Sequence, residues 1–250
     1  MRLQRCDGPA CRLRAGDLAL GAVDGEPVPC LGRCDLPVAA IRDGRALTIV
    51  TRGRIEPYAP PPLPRQPATP VLLRDAGFAD QPTEAAARRR GAYLALEKLT
   101  AEAAGELVAA VVHASWQGPG AFAARVLEER DPHLVAEGRA IAERAGKPVA
   151  ALDAVAAARL VRAAQSGAEW LAKHATRLCA VSGDVLRPGL YELPGGATIA
   201  EALAAAGGVV DGVRVSEASA VLADGTATKD FTAPAPVAMV ALHARRDPIC

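Results

Sequence analysis

Four cysteines near the amino terminus carry the strongest chemical signal in this sequence. Cys6 and Cys11 enclose four residues, and after a further 18 residues Cys30 and Cys34 enclose three. Four thiolates in two close pairs are a donor set for a tetrahedral zinc site or for an iron–sulfur cluster. Structural zinc sites more often have two residues inside each pair. The spacing therefore predicts a metal site that departs from a standard zinc ribbon.

The expected compartment agrees with metal or redox chemistry. The stretch from Met1 to Cys6 has basic residues but no apolar run after them, so we expect no secretory signal peptide. No stretch approaches the roughly 18 to 20 apolar residues of a membrane helix, so we expect no direct membrane insertion. We expect a cytoplasmic location, with the periphery of a membrane complex as an alternative. Thiols stay reduced in the cytoplasm, so the six cysteines favour metal or redox chemistry over disulfides.

Composition and charge restrict the class of protein. Half of the 250 residues are hydrophobic and 23% are charged, which is typical of a folded chain. The 29 basic and 28 acidic residues give a net charge of +1, and aromatic residues make up only 3%. We expect no nucleic-acid partner, because such a protein usually has a basic surface or aromatic stacking platforms.

The first 74 residues divide into a cysteine-rich segment and a proline-rich segment. Residues 1–58 hold the four cysteines and few helix signals, and two Val- and Ile-rich runs around Asp43-Gly44 predict a β-hairpin. Residues 59–74 are dense in proline, which cannot donate ladder hydrogen bonds and favours an extended chain. We expect this second segment to be a semi-rigid linker.

The middle segment, residues 75–176, has the signals of several helices. Thr83 and Asp131 are good N-caps, and glycine or proline breaks separate the helices. One helix is predicted over residues 84–99 and the last one over residues 150–174.

The final segment, residues 177–250, changes to strands around one short helix. Thr198 is an N-cap for this helix, which ends at Gly207-Gly208. Cys179 lies in a predicted strand and is expected to be a small buried hydrophobe. Strands around one helix suggest a small α+β module of the β-grasp type. The predicted fold class of the whole chain is α/β, built from α+β modules.

The second cysteine pair lies in a sequence that resembles a known signature. Cys30-Leu-Gly-Arg-Cys34-Asp-Leu-Pro37 is similar to the CLGxCxxAP motif of thioredoxin-like [2Fe–2S] ferredoxins, although its proline comes one residue early. The resemblance implies that Cys6, Cys11, Cys30 and Cys34 hold a [2Fe–2S] cluster. The stretch between the pairs is shorter than in that family, so we expect a trimmed thioredoxin-like arm. Another metal such as zinc and a vestigial site without metal are the alternatives.

A second resemblance covers about residues 110–212. Residues 118–138, which include Arg125 and Glu137, resemble the string EPGTFKDRxLMExDPHLxxEG. That string is found in the 51-kDa-type flavoprotein subunit of NADH dehydrogenase (complex I) and in the formate dehydrogenase β subunit. Residues 187–194 resemble the entry to the soluble-ligand-binding β-grasp domain of the same family. The resemblance implies an oxidoreductase subunit whose partners are other oxidoreductase subunits.

Several parts of that family are missing from this sequence. The Gly-rich flavin loop does not occur, and residues 111–120 lack the acidic stretch that hydrogen-bonds the flavin. The C-terminal motif with three [4Fe–4S] ligands is reduced to Cys250. We therefore expect neither FMN, NAD nor a [4Fe–4S] cluster in this chain, and we assign no catalytic residue.

Two functions follow as hypotheses. The first is an electron-transfer subunit, resembling the flavoprotein subunit of NADH-quinone oxidoreductase or NAD-dependent formate dehydrogenase. It would relay electrons through the [2Fe–2S] cluster and would not be catalytic on its own. The alternative is a non-catalytic docking or assembly module of an oxidoreductase complex.

Overall fold

The computed structural model describes residues 2–17, 25–36, 38–51, 54–111, 121–148, 152–209, 219–222 and 227–243. Within these residues, one five-stranded sheet comes from the start of the sequence and another from its end, and helices come from the part between them. The predicted fold class, α/β with a C-terminal β-grasp module, is confirmed.

The first sheet takes its strands from the cysteine-rich segment. They are β1 (Gln4–Cys6), β2 (Glu26–Val28), β3 (Ala39–Arg42), β4 (Arg45–Thr51) and β5 (Arg54–Pro57), in the order β2-β1-β3-β4-β5. β1 and β2 are parallel, and the other neighbours are antiparallel. Parallel neighbours need a crossover, and helix α1 (Pro9–Asp17) lies in that connection. A parallel βαβ unit continued by an antiparallel hairpin is the order expected of a trimmed thioredoxin-like arm.

The hairpin between β3 and β4 is where the sequence predicts it. Asp43 and Gly44 both have positive φ, 51° and 76°, as a two-residue hairpin turn of type I′ requires. Helix α1, in contrast, lies in the cysteine-rich segment, where the sequence has few helix signals. Its Pro9 starts the helix, where a missing N–H costs no hydrogen bond. Ala10 and Cys11 then bury the inner face of the helix.

Seven helices are described in the middle segment. They are α2 (Glu84–Arg89), α3 (Leu94–Lys98), α4 (Ala101–Val111), α5 (Ala123–Arg130), α6 (Pro132–Arg144), α7 (Ala154–Ser166) and α8 (Ala168–Lys173). The predicted caps are present, because Thr83 accepts from the N–H of Ala86 and Asp131 from that of Leu134.

Two predicted helices are each divided into two. The helix expected over residues 84–99 breaks at Tyr93, which has a φ of 69°. The one expected over residues 150–174 breaks at Gly167, which has a φ of 94°. A left-handed residue cannot continue a right-handed helix, so each break changes the direction of the chain.

Helices α6 and α7 form the centre of the helical part. A Cβ on Gly138 would lie 2.2 Å from the carbonyl oxygen of Ala157, so only glycine allows this approach of the two helices. Ile141 and Leu160 are fully buried in the same core, to which Ala10 and Cys34 of the arm also belong. The arm and the helical part therefore share one core.

The second sheet has the β-grasp arrangement. Its strands are β6 (Thr176–Gly183), β7 (Gly189–Pro194), β8 (Ser219–Leu222), β9 (Ala227–Thr228) and β10 (Ala238–Leu242), in the order β7-β6-β10-β8-β9. β6 and β10 are parallel, and the other neighbours are antiparallel. Helix α9 (Ile199–Ala205) starts with a capping box between Thr198 and Glu201 and buries Ile199, Ala202 and Leu203. Cys179 is fully buried in β6, as predicted.

The proline-rich segment lies against β7. The side chain of Gln66 donates to the carbonyl oxygen of Leu190 at 3.2 Å and accepts from the N–H of Glu192 at 2.7 Å. Glu192 is 2% exposed, and its carboxylate accepts from the N–H groups of Val71, Leu72 and Leu73. These bonds fix the segment to the second sheet.

None of the helices formed by the described residues is long and apolar enough to cross a membrane.

Candidate metal centre

The four N-terminal cysteines come from three neighbouring pieces of the arm. Cys6 ends β1, Cys11 lies in the first turns of α1, and Cys30 and Cys34 lie in the loop after β2. Cys6, Cys11 and Cys34 are buried, and Cys30 is half-buried. None of the cysteines in the described part of the chain is joined in a disulfide.

The structure brings the four sulfur atoms together in a hydrogen-bonded series. The Sγ atoms of Cys30 and Cys34 are 3.4 Å apart. The thiol of Cys6 shares hydrogen bonds with those of Cys11 and Cys30. The order of contact is therefore Cys11, Cys6, Cys30, Cys34. Among the described residues, no group of three or more His, Cys, Asp or Glu side chains is arranged to hold a metal ion.

These contacts separate the acidities of the thiols. Hydrogen bonds to Cys11 and Cys30, together with burial, raise the pKa of Cys6. The hydrogen bond from Cys6 lowers the pKa of Cys11. The pKa of Cys34 is raised by its hydrogen bond to Cys30 and by burial. Of Cys6, Cys11 and Cys34, Cys11 alone has a lowered pKa, which favours its thiolate, the form that binds a metal.

Backbone N–H groups also point at the sulfurs. The N–H of Leu31 donates to the Sγ of Cys6 at 3.4 Å, and the N–H of Gly32 donates to the Sγ of Cys30 at 3.5 Å. Gly32 has a φ of 65°, a conformation that glycine adopts without strain. Hydrogen bonds of this kind stabilise negative charge on sulfur.

An apolar wall surrounds the cysteines on the sheet side. Leu3, Val38, Ala40 and Ile49 are buried in one cluster with Cys6 and Cys11. Such surroundings exclude water and lower the local dielectric constant.

The donor set fits an iron–sulfur cluster. Four soft thiols lie in one series of contacts, and two of their sulfurs accept from backbone N–H groups, which are features of such sites. A zinc ion also takes four thiolates, but from four directions around one point. The thiol donors present could therefore serve either kind of group.

A partly buried ionic network lies beside the second cysteine pair, and no role was predicted for it from the sequence. Arg125 of α5 donates to the carbonyl oxygen of Gly32 at 2.8 Å and to the Asp35 carboxylate at 2.7 Å. It also donates to the hydroxyl of Tyr58 at 2.8 Å and to Glu129 at 2.6 Å. The one signal for this role in the sequence is that Arg125 belongs to the family-like string of residues 118–138.

Charge explains the protonation of this network. Burial by itself lowers the pKa of Arg125, but the nearby Asp35 outweighs it and the pKa lies above its ordinary value. Burial and the negative charge of Asp35 raise the pKa of Tyr58 to about 12. Arg125 is therefore charged, and Tyr58 is a neutral donor.

A second buried polar group lies between α3, α6 and α7. Glu137 accepts from the N–H of Leu96 through one carboxylate oxygen, and its other oxygen has no hydrogen-bond partner among the described residues. One carboxylate oxygen of Asp131 accepts from the Gln81 amide and from the N–H of Leu134. Its other oxygen also has no hydrogen-bond partner among the described residues. Burial raises the pKa of both carboxyl groups. The family-like string thus places structural carboxylates in the helical core.

Some predictions fall outside the described residues. Residues 112–120, where the flavin-binding acidic stretch was sought, are among them, and so are Pro37 of the signature and Cys250.

Comparisons with known proteins support the fold of both halves. Residues 179–226 match the family model of the SLBB domain. No curated protein matches the chain. A chain in the crystal structure of NAD+-reducing [NiFe]-hydrogenase in the air-oxidized state is similar, with a TM-score of 0.71 and 17% identity over 99% of this chain and 70% of that one. The H2-reduced state gives a TM-score of 0.61 and 16% identity, over 99% and 69%. Residues 179–226 therefore match the SLBB domain, and 99% of this chain shares its fold with a chain of an NAD+-reducing [NiFe]-hydrogenase.

Proposed function

We propose that this chain is an electron-transfer subunit of an oxidoreductase complex, and that Cys6, Cys11, Cys30 and Cys34 hold a [2Fe–2S] cluster. The observation that carries the proposal is the hydrogen-bonded series of four thiols, in which Cys6 and Cys11 are buried in the core of the arm and Cys34 in the core that the arm shares with the helices. Chance thiols on a strand, a helix and a loop would not meet in this way.

A [2Fe–2S] cluster, when bound, supplies one-electron transfer. The four cysteines would be its thiolate ligands. The N–H groups of Leu31 and Gly32 would stabilise the extra negative charge after reduction, because they donate to Cys6 and Cys30. The apolar wall with Val38 and Ile49 would keep water from the sulfurs.

The proposed partners are other subunits of the same oxidoreductase complex. The related fold is that of a chain of an NAD+-reducing [NiFe]-hydrogenase. This sequence lacks the flavin loop of the family that it resembles, so a partner subunit would supply or accept the electrons. A cytoplasmic setting would keep the thiols reduced before the cluster is inserted.

Metal analysis of cysteine variants tests the proposal. The wild-type chain, reconstituted without air with iron and sulfide, should contain about two irons and about two sulfides per chain. Cys30→Ala should lose most of this iron. Cys179→Ala is the matched control, because Cys179 is a buried cysteine of the second sheet, and it should keep the wild-type content. Zinc in place of iron, no metal, or equal iron in Cys30→Ala would contradict the ligand assignment.

The docking or assembly module is the second candidate, and the SLBB match over residues 179–226 favours it. A chain with all four N-terminal cysteines changed to alanine separates the two functions. If this variant binds the same oxidoreductase subunits and supports the same complex activity as the wild type, docking is the function. If it binds them and the complex loses electron transfer, the relay is required.

A further inference from the structure

We propose that Arg125 is the positioning residue of the cysteine site, and that it holds the Cys30–Cys34 loop against the helical part and sets the charge beside it. The inference rests on the proposed function for its redox consequence. The positioning of the loop can be tested without any metal.

Arg125 holds Gly32, the middle residue between Cys30 and Cys34. Its Nε donates to the carbonyl oxygen of Gly32 at 2.8 Å, while the N–H of Gly32 donates to the Sγ of Cys30. Gly32 is thus fixed on one side by the helical part and on the other by a cysteine. A shift of Gly32 would move the backbone that joins Cys30 to Cys34.

Arg125 also holds the residue that follows Cys34. Its Nη2 donates to the Asp35 carboxylate at 2.7 Å, and the Tyr58 hydroxyl donates to the same carboxylate at 3.2 Å. The Asp35 side chain is 6% exposed and that of Arg125 is 15% exposed. A planar guanidinium can reach a carbonyl and a carboxylate at once, which a lysine ammonium at this position cannot do equally well.

Helix α5 provides the other end of the network. Glu129, one turn after Arg125, accepts from it at 2.6 Å and from Arg33 at 3.0 Å. The network therefore contains two arginines and two carboxylates, and it ties Gly32, Arg33 and Asp35 of the loop to one helix. Removal of Arg125 would leave the two carboxylates opposed by Arg33 alone.

Two consequences follow for the site. The loop would open more often, because a buried carboxylate would lose its charged partner. A cluster held by this loop would also become harder to reduce, because one positive charge beside it is gone. Loss of Asp35 would loosen the same loop but would leave the surroundings more positive. The two variants should therefore shift the midpoint potential in opposite directions, which loosening alone would not do.

The first experiment uses the reduced, metal-free chain and measures the rate of alkylation of Cys34 by mass spectrometry. Cys34 is fully buried, so its labelling reports opening of the loop. Arg125→Gln should speed the labelling about tenfold, since charged hydrogen bonds are worth about one decade in such an equilibrium. Arg125→Lys should lie between the wild type and Arg125→Gln.

Arg130→Gln is the matched control. Arg130 lies on the same helix but donates to the carbonyl oxygens of Pro60 and Pro61, at 3.0 and 2.5 Å. This variant should label Cys34 at the wild-type rate. Equal rates in Arg125→Gln and wild type, or the same increase in Arg130→Gln, would overturn the inference whether or not the chain binds a cluster.

The second experiment measures the midpoint potential of the reconstituted chain. Arg125→Gln should shift it to a more negative value, Asp35→Asn to a more positive value, and Arg125→Lys should stay near the wild type. A wild-type chain without a cluster would contradict the proposed function, while the labelling result would still decide the role of Arg125. If the wild type binds a cluster and all three variants have its midpoint potential, the electrostatic role alone is contradicted.

Discussion

A Cβ atom on Gly8 would lie 3.1 Å from the Cβ of Cys30 and 3.3 Å from its sulfur. Gly8 stands between Cys6 and Cys11, just before α1, so the two cysteine pairs meet across a backbone that has no side chain. The absence of a side chain at Gly8 thus allows the loop of Cys30 to approach the backbone between Cys6 and Cys11.

Gly8→Ala should therefore separate the two pairs. The new methyl group would lie closer to Cys30 than an ordinary van der Waals contact allows. The loop or α1 would have to shift to avoid the clash, at a cost of about 1–3 kcal/mol. We expect lower iron content after reconstitution and a lower unfolding midpoint, measured by metal analysis and by circular dichroism.

Gly16→Ala is the control for this substitution. Gly16 lies near the end of α1, and a Cβ there would meet nothing within 4 Å. The variant should keep its iron and gain up to about 1 kcal/mol, because alanine favours a helix more than glycine does. Equal iron content in Gly8→Ala and Gly16→Ala would show that the approach to Cys30 is not critical.

Glu192 should be the main anchor of the proline-rich segment. Its carboxylate accepts from three consecutive N–H groups, and one of its oxygens also accepts from the hydroxyl of Thr176 at 2.5 Å. In Glu192→Gln an amide NH2 would face some of these donors, and buried N–H groups would be left unpaired. We expect a loss of about 2–4 kcal/mol of unfolding free energy in urea and faster proteolysis within residues 59–74.

Glu143→Gln serves as the comparison for Glu192→Gln. Glu143 is an exposed residue of α6. The unfolding free energy of the Glu143→Gln variant should therefore stay within about 0.5 kcal/mol of that of the wild type. A similar small effect in Glu192→Gln would mean that the proline-rich segment does not depend on this carboxylate.

Glu137 should make stability depend on pH. Burial raises its pKa, although the N–H groups of Tyr93 and Leu96 partly offset that effect. When the pH rises above about 4.3, the ordinary value, the unfolded chain releases its proton before the folded chain does. The contribution of Glu137 to stability is therefore greatest below the unfolded pKa, falls as the pH rises through the folded pKa, and stays low above it.

The variant Glu137→Gln cannot release this proton. Between pH 4 and pH 7 the wild type should lose stability relative to the variant, measured as the difference in urea midpoint at each pH. Packing changes caused by the substitution contribute to the difference at every pH, so the difference at pH 4 is the reference against which the others are compared. A constant difference across this range, or one that moves in favour of the wild type, would contradict a raised pKa for Glu137.

Local signals explain which elements of the fold were predictable. Asp43-Gly44 specifies its hairpin turn through backbone conformation alone, and Thr198 specifies the start of α9 through a hydrogen bond within one turn. Helix α1 was missed because its Gly and Cys content is typical of a loop. Burial of Ala10 and Cys11 in the folded arm outweighs that weak propensity.

The candidate site was predictable only in part, for a similar reason. Spacing and a resemblance indicated the four cysteines, since close pairs are visible along the chain. The bond between Arg125 and Asp35 joins residues 90 positions apart, and no periodicity in the sequence reports such a contact. The contacts between the sulfurs and the network beside them are visible only in the folded chain.

The EPR spectrum of the reconstituted, reduced chain tests the central claim most directly. A chain that holds a [2Fe–2S] cluster on Cys6, Cys11, Cys30 and Cys34 should give a rhombic spin-half signal that integrates to about one spin per chain. Cys34→Ala should lose the signal and Cys179→Ala should keep it. A reduced wild-type sample with stoichiometric iron but no such signal, or a sample that takes up zinc and no iron, would contradict the electron-transfer account.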